Sequence, residues 1–245
     1  MSPQLPEPSG LLVYGFLTIQ LTMAVGLFYC IVRTSGTKAL PKAAALLVAW
    51  LGITGGLAST GMLDTWDPPP MLLILLSMVV FLAWSSRQPW TAKLAELPLS
   101  FLVGFQGFRI VVEMLIHKAV QEGIAHPTMT WSGTNWDIVA GVTAVLLAPF
   151  AKRLDHRVLQ IWNVSMALVL MVTVVTAVLA APIPFRQIMG EPANTWVTHF
   201  PFIWLPAILV FCAWLGHIVL FFGNWLIKFF SNKFYNFIPL KIFSN

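Results

Sequence analysis

A chain of 245 residues that is 58% hydrophobic and only 9% charged, with a mean hydropathy of +0.81, lies far outside the composition of soluble domains. Its formal charge of +5 could suggest an anionic polymer as partner, but the basic residues are gathered in a few short loops. That distribution is a topology signal and argues against a nucleic-acid surface. The expectation is an all-α polytopic membrane protein whose first partner is the lipid bilayer.

The first ten residues hold one Glu and no Lys or Arg, so they lack the basic start of a signal peptide. The apolar run that follows is of full spanning length and is expected to be kept as a helix. Seven apolar runs can be counted, at about 11–32, 43–63, 69–85, 99–117, 136–151, 158–180 and 201–222. Arg33, Lys38 and Lys42 follow the first, Arg87 and Lys93 the third, Lys152, Arg153 and Arg157 the fifth, and Lys228, Lys233 and Lys241 the seventh. The intervening loops carry Asp64, Asp67, Glu122 and Glu191, with only Lys118 and Arg186 as cations. Under the positive-inside rule this alternation predicts a seven-helix bundle with the N-terminus outside and the C-terminus in the cytoplasm. The transmembrane domain is expected over 1–222. Over 223–245 the texture changes to Phe, Asn, Lys and Ile, which reads as an atypical tail, either interfacial or non-native.

Breaks along the chain agree with this plan. Asp67-Pro68-Pro69-Pro70 predicts a stiff turn into the third run, and Pro98 stands just before the fourth. Thr134 and Asp137 read as a capping arrangement at the start of the fifth, where an acid suits a helix N-terminus. Trp66, Trp131, Trp136, Trp196 and Trp204 lie near the expected outer boundary, as an aromatic belt would. Gly52 with Gly56, and Ala140 with Ala144 and Ala148, predict close helix approaches. Cys30 and Cys212 fall inside apolar segments and are expected to be unpaired thiols.

The fourth run, Leu99 to His117, carries charge where charge is expensive. Gln106, Arg109, Glu113 and His117 follow at steps of three, four and four, which places them on one helical face. A charge near the bilayer centre costs about 3 kcal/mol on insertion scales, so such residues face protein or water and commonly do work. One reading is an outward-facing polar pocket for a small anionic or amphiphilic ligand, held by Arg109 with Glu113 as its protonatable partner. His117 sits at the mouth, His199 on the threshold of the seventh run, and Trp131 and Asn135 on a covering loop, His126 to Asp137. The plainer reading is an Arg109–Glu113 pair within one helix that neutralises itself.

A haem, metal or quinone protein using His117 and His199 is the alternative from another class, and a structural subunit of a larger complex is a third. No ligand pair has a recognised metal spacing, and the cofactor is left unknown. His217 reads as a packing histidine, and Asn163, although in an Asn-x-Ser sequon, falls inside an expected span. The seventh run has no mid-membrane Lys for a retinal Schiff base, and HExxH, GxSxG and phosphate-binding glycine loops do not occur. Oligomers or partner subunits remain open.

The segments FRIVVE from Phe108, TWSGTNWDIVAG from Thr130 and HFPFIWLP from His199 resemble multi-pass proteins of bacterial inner membranes. The resemblance covers the middle and last thirds up to about Phe222. It implies a location in the inner (plasma) membrane and carries no activity.

Overall fold

The structure is a computed structural model that describes residues 6–65 and 69–234, with side chains placed as far as residue 222. Among the described residues it is all helical, without strands. The helices are α1 (Gly10–Ser35), α2 (Leu40–Ser59), α3 (Met71–Ser85), α4 (Pro89–Leu94), α5 (Leu99–Gly104), α6 (Phe108–Gln121), α7 (Asp137–Leu147), α8 (His156–Leu179) and α9 (Phe211–Phe234). Five stretches are long and apolar enough to cross a membrane: Gly10–Ser35, Thr37–Ser59, Leu99–Gln121, His156–Leu179 and Leu205–Phe222. Two shorter apolar helices, Met71–Ser85 and Asp137–Phe150, occupy the third and fifth runs. At 1.5 Å per residue the first of these, with 15 residues, spans about 22 Å, less than the roughly 30 Å of a hydrocarbon core.

The outer surface of the bundle is apolar, with Leu11, Tyr14, Leu73, Val80, Met114, Leu146 and Ile161 all exposed, as lipid contact requires. The polar side chains turn inward, and Gln20, Gln106, Arg109, Glu113, Asn135, Asp137, Asn163 and His217 are all buried. Pro98 precedes α5 as expected, and a single 3-10 turn, Phe105–Gly107, joins α5 to α6. The last crossing opens with a π-helical stretch, Leu205–Val210, that contains Pro206. A proline lacks the N–H needed for a regular turn, and π-turns are one way a helix absorbs that loss. The helix does not break at 222, because the backbone of α9 runs on to Phe234. Residues 235–245, like Trp66, Asp67 and Pro68, lie outside the described residues.

Three sequence expectations are corrected by the packing. Gly52 and Gly56 face away from the protein, whereas Gly55 meets the Trp204 ring, 3.3 Å from where its Cβ would stand. Trp196 is no exposed anchor; it is buried against Phe16 and Phe202. Asp137 does not pair with Thr134 in a cap: Thr134 bonds to the Thr128 carbonyl, and Asp137 turns into the bundle. The alanine stripe does pack, with Ala140 and Ala144 fully buried. Cys30 and Cys212 are free thiols.

The segments after α6 and α8 fold back into the bundle. Ile124, Ala125, His126, Met129, Thr130 and Asn135 are buried, and their backbone is satisfied locally, for instance by Thr134 N donating to Thr128 O at 3.1 Å. Irregular backbone beside apolar helices needs such internal partners, because lipid offers none. Across the cap, His126 Nε2 meets Met189 O, and Thr198 and His199 both reach Asp64. Ser9 caps α1 and also donates to Glu122 through its N–H at 2.9 Å and its hydroxyl. Burial alone would raise the Glu122 carboxyl, but the Ser9 hydrogen bonds and the nearby Lys118 ammonium outweigh it and hold the pKa below the ordinary carboxylate value.

Candidate functional site

The polar centre of the bundle is assembled by α6, the start of α7, α8 and α9. Arg109 stands in the first turn of α6 and is 1% exposed. Its guanidinium grips both carboxylate oxygens of Asp137: Nε donates to Oδ2 at 2.7 Å and Nη2 to Oδ1. This two-pronged geometry suits a planar guanidinium and fixes both partners. The remaining arm, Nη1, lies 3.0 Å from His217 Nε2. A guanidinium can only donate, so Nε2 accepts, and the ring proton belongs on Nδ1, which faces Asn163 Oδ1 at 2.8 Å. Asn163 Nδ2 in turn donates to the His217 carbonyl at 3.0 Å.

Glu113 lies one turn beyond Arg109 on α6 and is equally buried, yet the two do not pair. Asn135 Nδ2 donates to both Glu113 oxygens, at 2.8 and 3.0 Å, and to Met129 O at 2.9 Å. Asn135 Oδ1 accepts from Asp137 N and from Thr173 Oγ1. Asn135 thus links the Glu113 carboxyl to the Arg109–Asp137 pair through one fully buried amide. Beneath them Gln106 Nε2 donates to Ala213 O at 3.1 Å, while Gln106 Oε1 has no partner among the described residues.

Close backbone approach makes this possible. A Cβ on Gly141, one turn after Asp137, would stand 2.8 Å from the Ile110 backbone nitrogen. A Cβ on Gly216 would meet Gln106 Nε2 at 2.6 Å. Glycine at both places lets α7 and α9 lie against the polar face of α6.

Of the residues singled out from sequence, Gln106, Arg109, Glu113 and Asn135 come together here. His117, Trp131 and His199 do not join them. The His117 and Trp131 rings stack with centroids 4.2 Å apart, and His117 Nε2 meets Gln121. His199 Nε2 lies 3.2 Å from Asp64 Oδ2. The two histidines considered as metal ligands therefore serve different partners, and among the described residues no group of three His, Cys, Asp or Glu converges on a metal-sized site. Sequence reasoning missed Asp137 and Asn163 as members. Asp137 had a competing role as a helix-start acid, and Asn163 was weighed only as a sequon.

Chemically, the centre holds one guanidinium and two carboxyl groups away from water. Arg109 is matched by Asp137, so Glu113 is the carboxyl without a cation of its own. Such a group can take and release a proton without breaking the pair beside it. Two largely apolar cavities border the bundle, one beside Met129, Thr173 and Trp196 and one beside Trp50 and Phe81, and neither includes Arg109 or Glu113 in its walls. Compared with protein-family models, curated proteins and solved structures, the chain matches none of them.

Proposed function

We propose that this integral membrane protein is a seven-span carrier or sensor of the bacterial inner membrane, N-terminus outside and C-terminus cytoplasmic, that handles a small anionic or amphiphilic molecule by proton exchange at Glu113. The apolar helices support the membrane location. The regular alternation of basic and acidic loops supports seven crossings and the orientation.

The observation that carries the functional reading is the unequal standing of the two buried carboxyls. Asp137 is bound to Arg109 by two donors, while among the described residues Glu113 has only the Asn135 amide. An anionic ligand reaches Arg109 by displacing Asp137, which acts as a resident carboxylate in its place. The displaced carboxylate then lies near Glu113 in a water-poor centre, where two unmatched negative charges are strongly disfavoured. Uptake of one proton by the carboxyl pair returns the centre to the charge it carried before the anion entered, so anion binding and proton binding are coupled. Asn135 is placed to pass the change from Asp137 to Glu113, since it holds both.

The test is infrared difference spectroscopy of the purified chain between acidic and alkaline pH. The expected result is a protonated-carboxyl band that titrates in the parent and is absent in Glu113→Gln. Identical difference spectra for the parent and Glu113→Gln would refute a proton site at Glu113.

A further inference from the structure

A second feature lies away from the polar centre, in a groove between α1, α2 and α3. Its volume is about 390 Å³, within the range of small-molecule sites. Leu27 and Ile31 of α1, Leu46 and Trp50 of α2, and Met78 and Phe81 of α3 form its walls. The floor is the π-helical stretch, whose Ala207 carbonyl accepts from Trp50 Nε1 at 3.1 Å. The indole is thereby satisfied, and the interior offers nothing polar to a guest. Side-chain hydrogen-bonding groups gather at one end, where Ser35 closes α1, Lys42 opens α2 and Gln88 precedes α4. From Lys42 to Trp50 the groove runs about 12 Å along the helix axis.

The charge at that end is one-sided. Lys42 is exposed and makes no ion pair among the described residues. Arg33, Lys38, Arg87 and Lys93 stand in the two segments nearest to it, 33–42 and 87–96, against a single acid there, Glu96. Lys93 is spent on the Thr34 carbonyl, and Arg87 on the Ala83 carbonyl. Lys42 is the cation that borders the groove itself and is free to meet an anion.

We propose that this groove holds one acyl chain of an anionic phospholipid, with its phosphate against Lys42. A slim apolar chain capped by one negative charge matches an apolar slot capped by one lysine. The site is separate from Glu113 and stands whether or not that residue exchanges protons.

The experiment reconstitutes the full chain in nanodiscs of equal phosphatidylglycerol and phosphatidylcholine, extracts it mildly, and counts retained lipids by native mass spectrometry. The expected result is preferential retention of phosphatidylglycerol that inorganic phosphate at millimolar concentration does not displace. Lys42→Gln, a change at an exposed position, lowers the preference about fivefold. Arg87→Gln leaves it unchanged, and Ala43→Trp, which fills the groove, removes retention of both lipids at a melting temperature close to the parent's. Equal retention of the two lipids, an unchanged preference in Lys42→Gln, or displacement by phosphate alone would overturn the proposal.

Discussion

The pairing of Arg109 with Asp137, rather than with Glu113 one turn away, is open to a direct energetic test by double-mutant cycle. Two unit charges about 4 Å apart attract by about 4 kcal/mol at an effective dielectric near 20. Removing one member of a buried pair strands the other, at a cost of about 3–5 kcal/mol. With Arg109 1% and Asp137 6% exposed, water gives little relief to the stranded charge. Arg109→Met and Asp137→Leu are therefore each expected to lower unfolding free energy by about 4 kcal/mol. The double variant strands no charge, and its main loss is the donor to His217 Nε2, worth about 1–3 kcal/mol. The coupling energy then comes to about 6 kcal/mol, ten times the roughly 0.6 kcal/mol average for hydrogen bonds between membrane helices. The assay is reversible unfolding in mixed micelles or steric trapping in bicelles, applied to both cycles. The Arg109–Glu113 cycle is expected to give less than half of that coupling energy, because the two side chains share no bond and interact only across a longer distance. A Glu113 coupling larger than the Asp137 coupling would refute the pairing.

Gly141→Val places side-chain atoms where the Ile110 backbone already lies, 2.8 Å from the site of a Cβ, and pushes α7 off α6. A loss of about 1–3 kcal/mol is expected in the same unfolding assay, and Gly26→Val, where nothing lies within 4 Å, is the matched control. The Ser9–Glu122 clamp predicts a pH effect with a definite sign. Glu122 is held below its ordinary pKa, so its contribution to stability is full above the unfolded value near 4.3 and is lost as pH falls through the lower folded value. The parent is expected to melt higher than Glu122→Gln at neutral pH, and the gap should close in acid; a gap that persists at the lowest pH would contradict the clamp.

The polar stripe of the fourth run was legible because its signal is local. Steps of three and four put Gln106, Arg109 and Glu113 on one face, and the expense of charge in lipid turns that face inward. The partners were not legible for an equally physical reason. Asp137 lies 28 positions from Arg109 and His217 lies 108, so their meeting depends on how helices pack and on no periodicity within any one of them. Local rules also offered rival uses that are sound elsewhere: an acid at a helix start is an ordinary cap, and an i,i+4 Arg–Glu pair is an ordinary neighbour pair. The glycine pairs show the same limit. Spacing marked Gly52 and Gly56, but which helix face meets a neighbour was decided by the Trp204 ring, which chose Gly55.

The place at which α7 begins explains how the centre can hold an arginine beside two carboxyls. Asp137 has to reach an arginine near the middle of the Leu99–Gln121 stretch. The segment between α6 and α7 buries Ile124, Met129, Thr130 and Asn135 while leaving Trp131 and Trp136 exposed, and Asn135 anchors it by binding Met129 O, Glu113 and Thr173 together. Asp137 N donates to Asn135 Oδ1, so α7 starts with its first residue already facing Arg109. The shortness of α7 and the burial of the preceding segment are thus one feature. The chain forgoes helix length before Asp137, and the preceding loop supplies the polar side chains that a full-length apolar helix would have lacked. Asn135 is the joint on which this depends, so changes at Asn135 are expected to disturb Asp137 and Glu113 together, whereas Glu113→Gln keeps an acceptor for the Asn135 amide and leaves the fold in place.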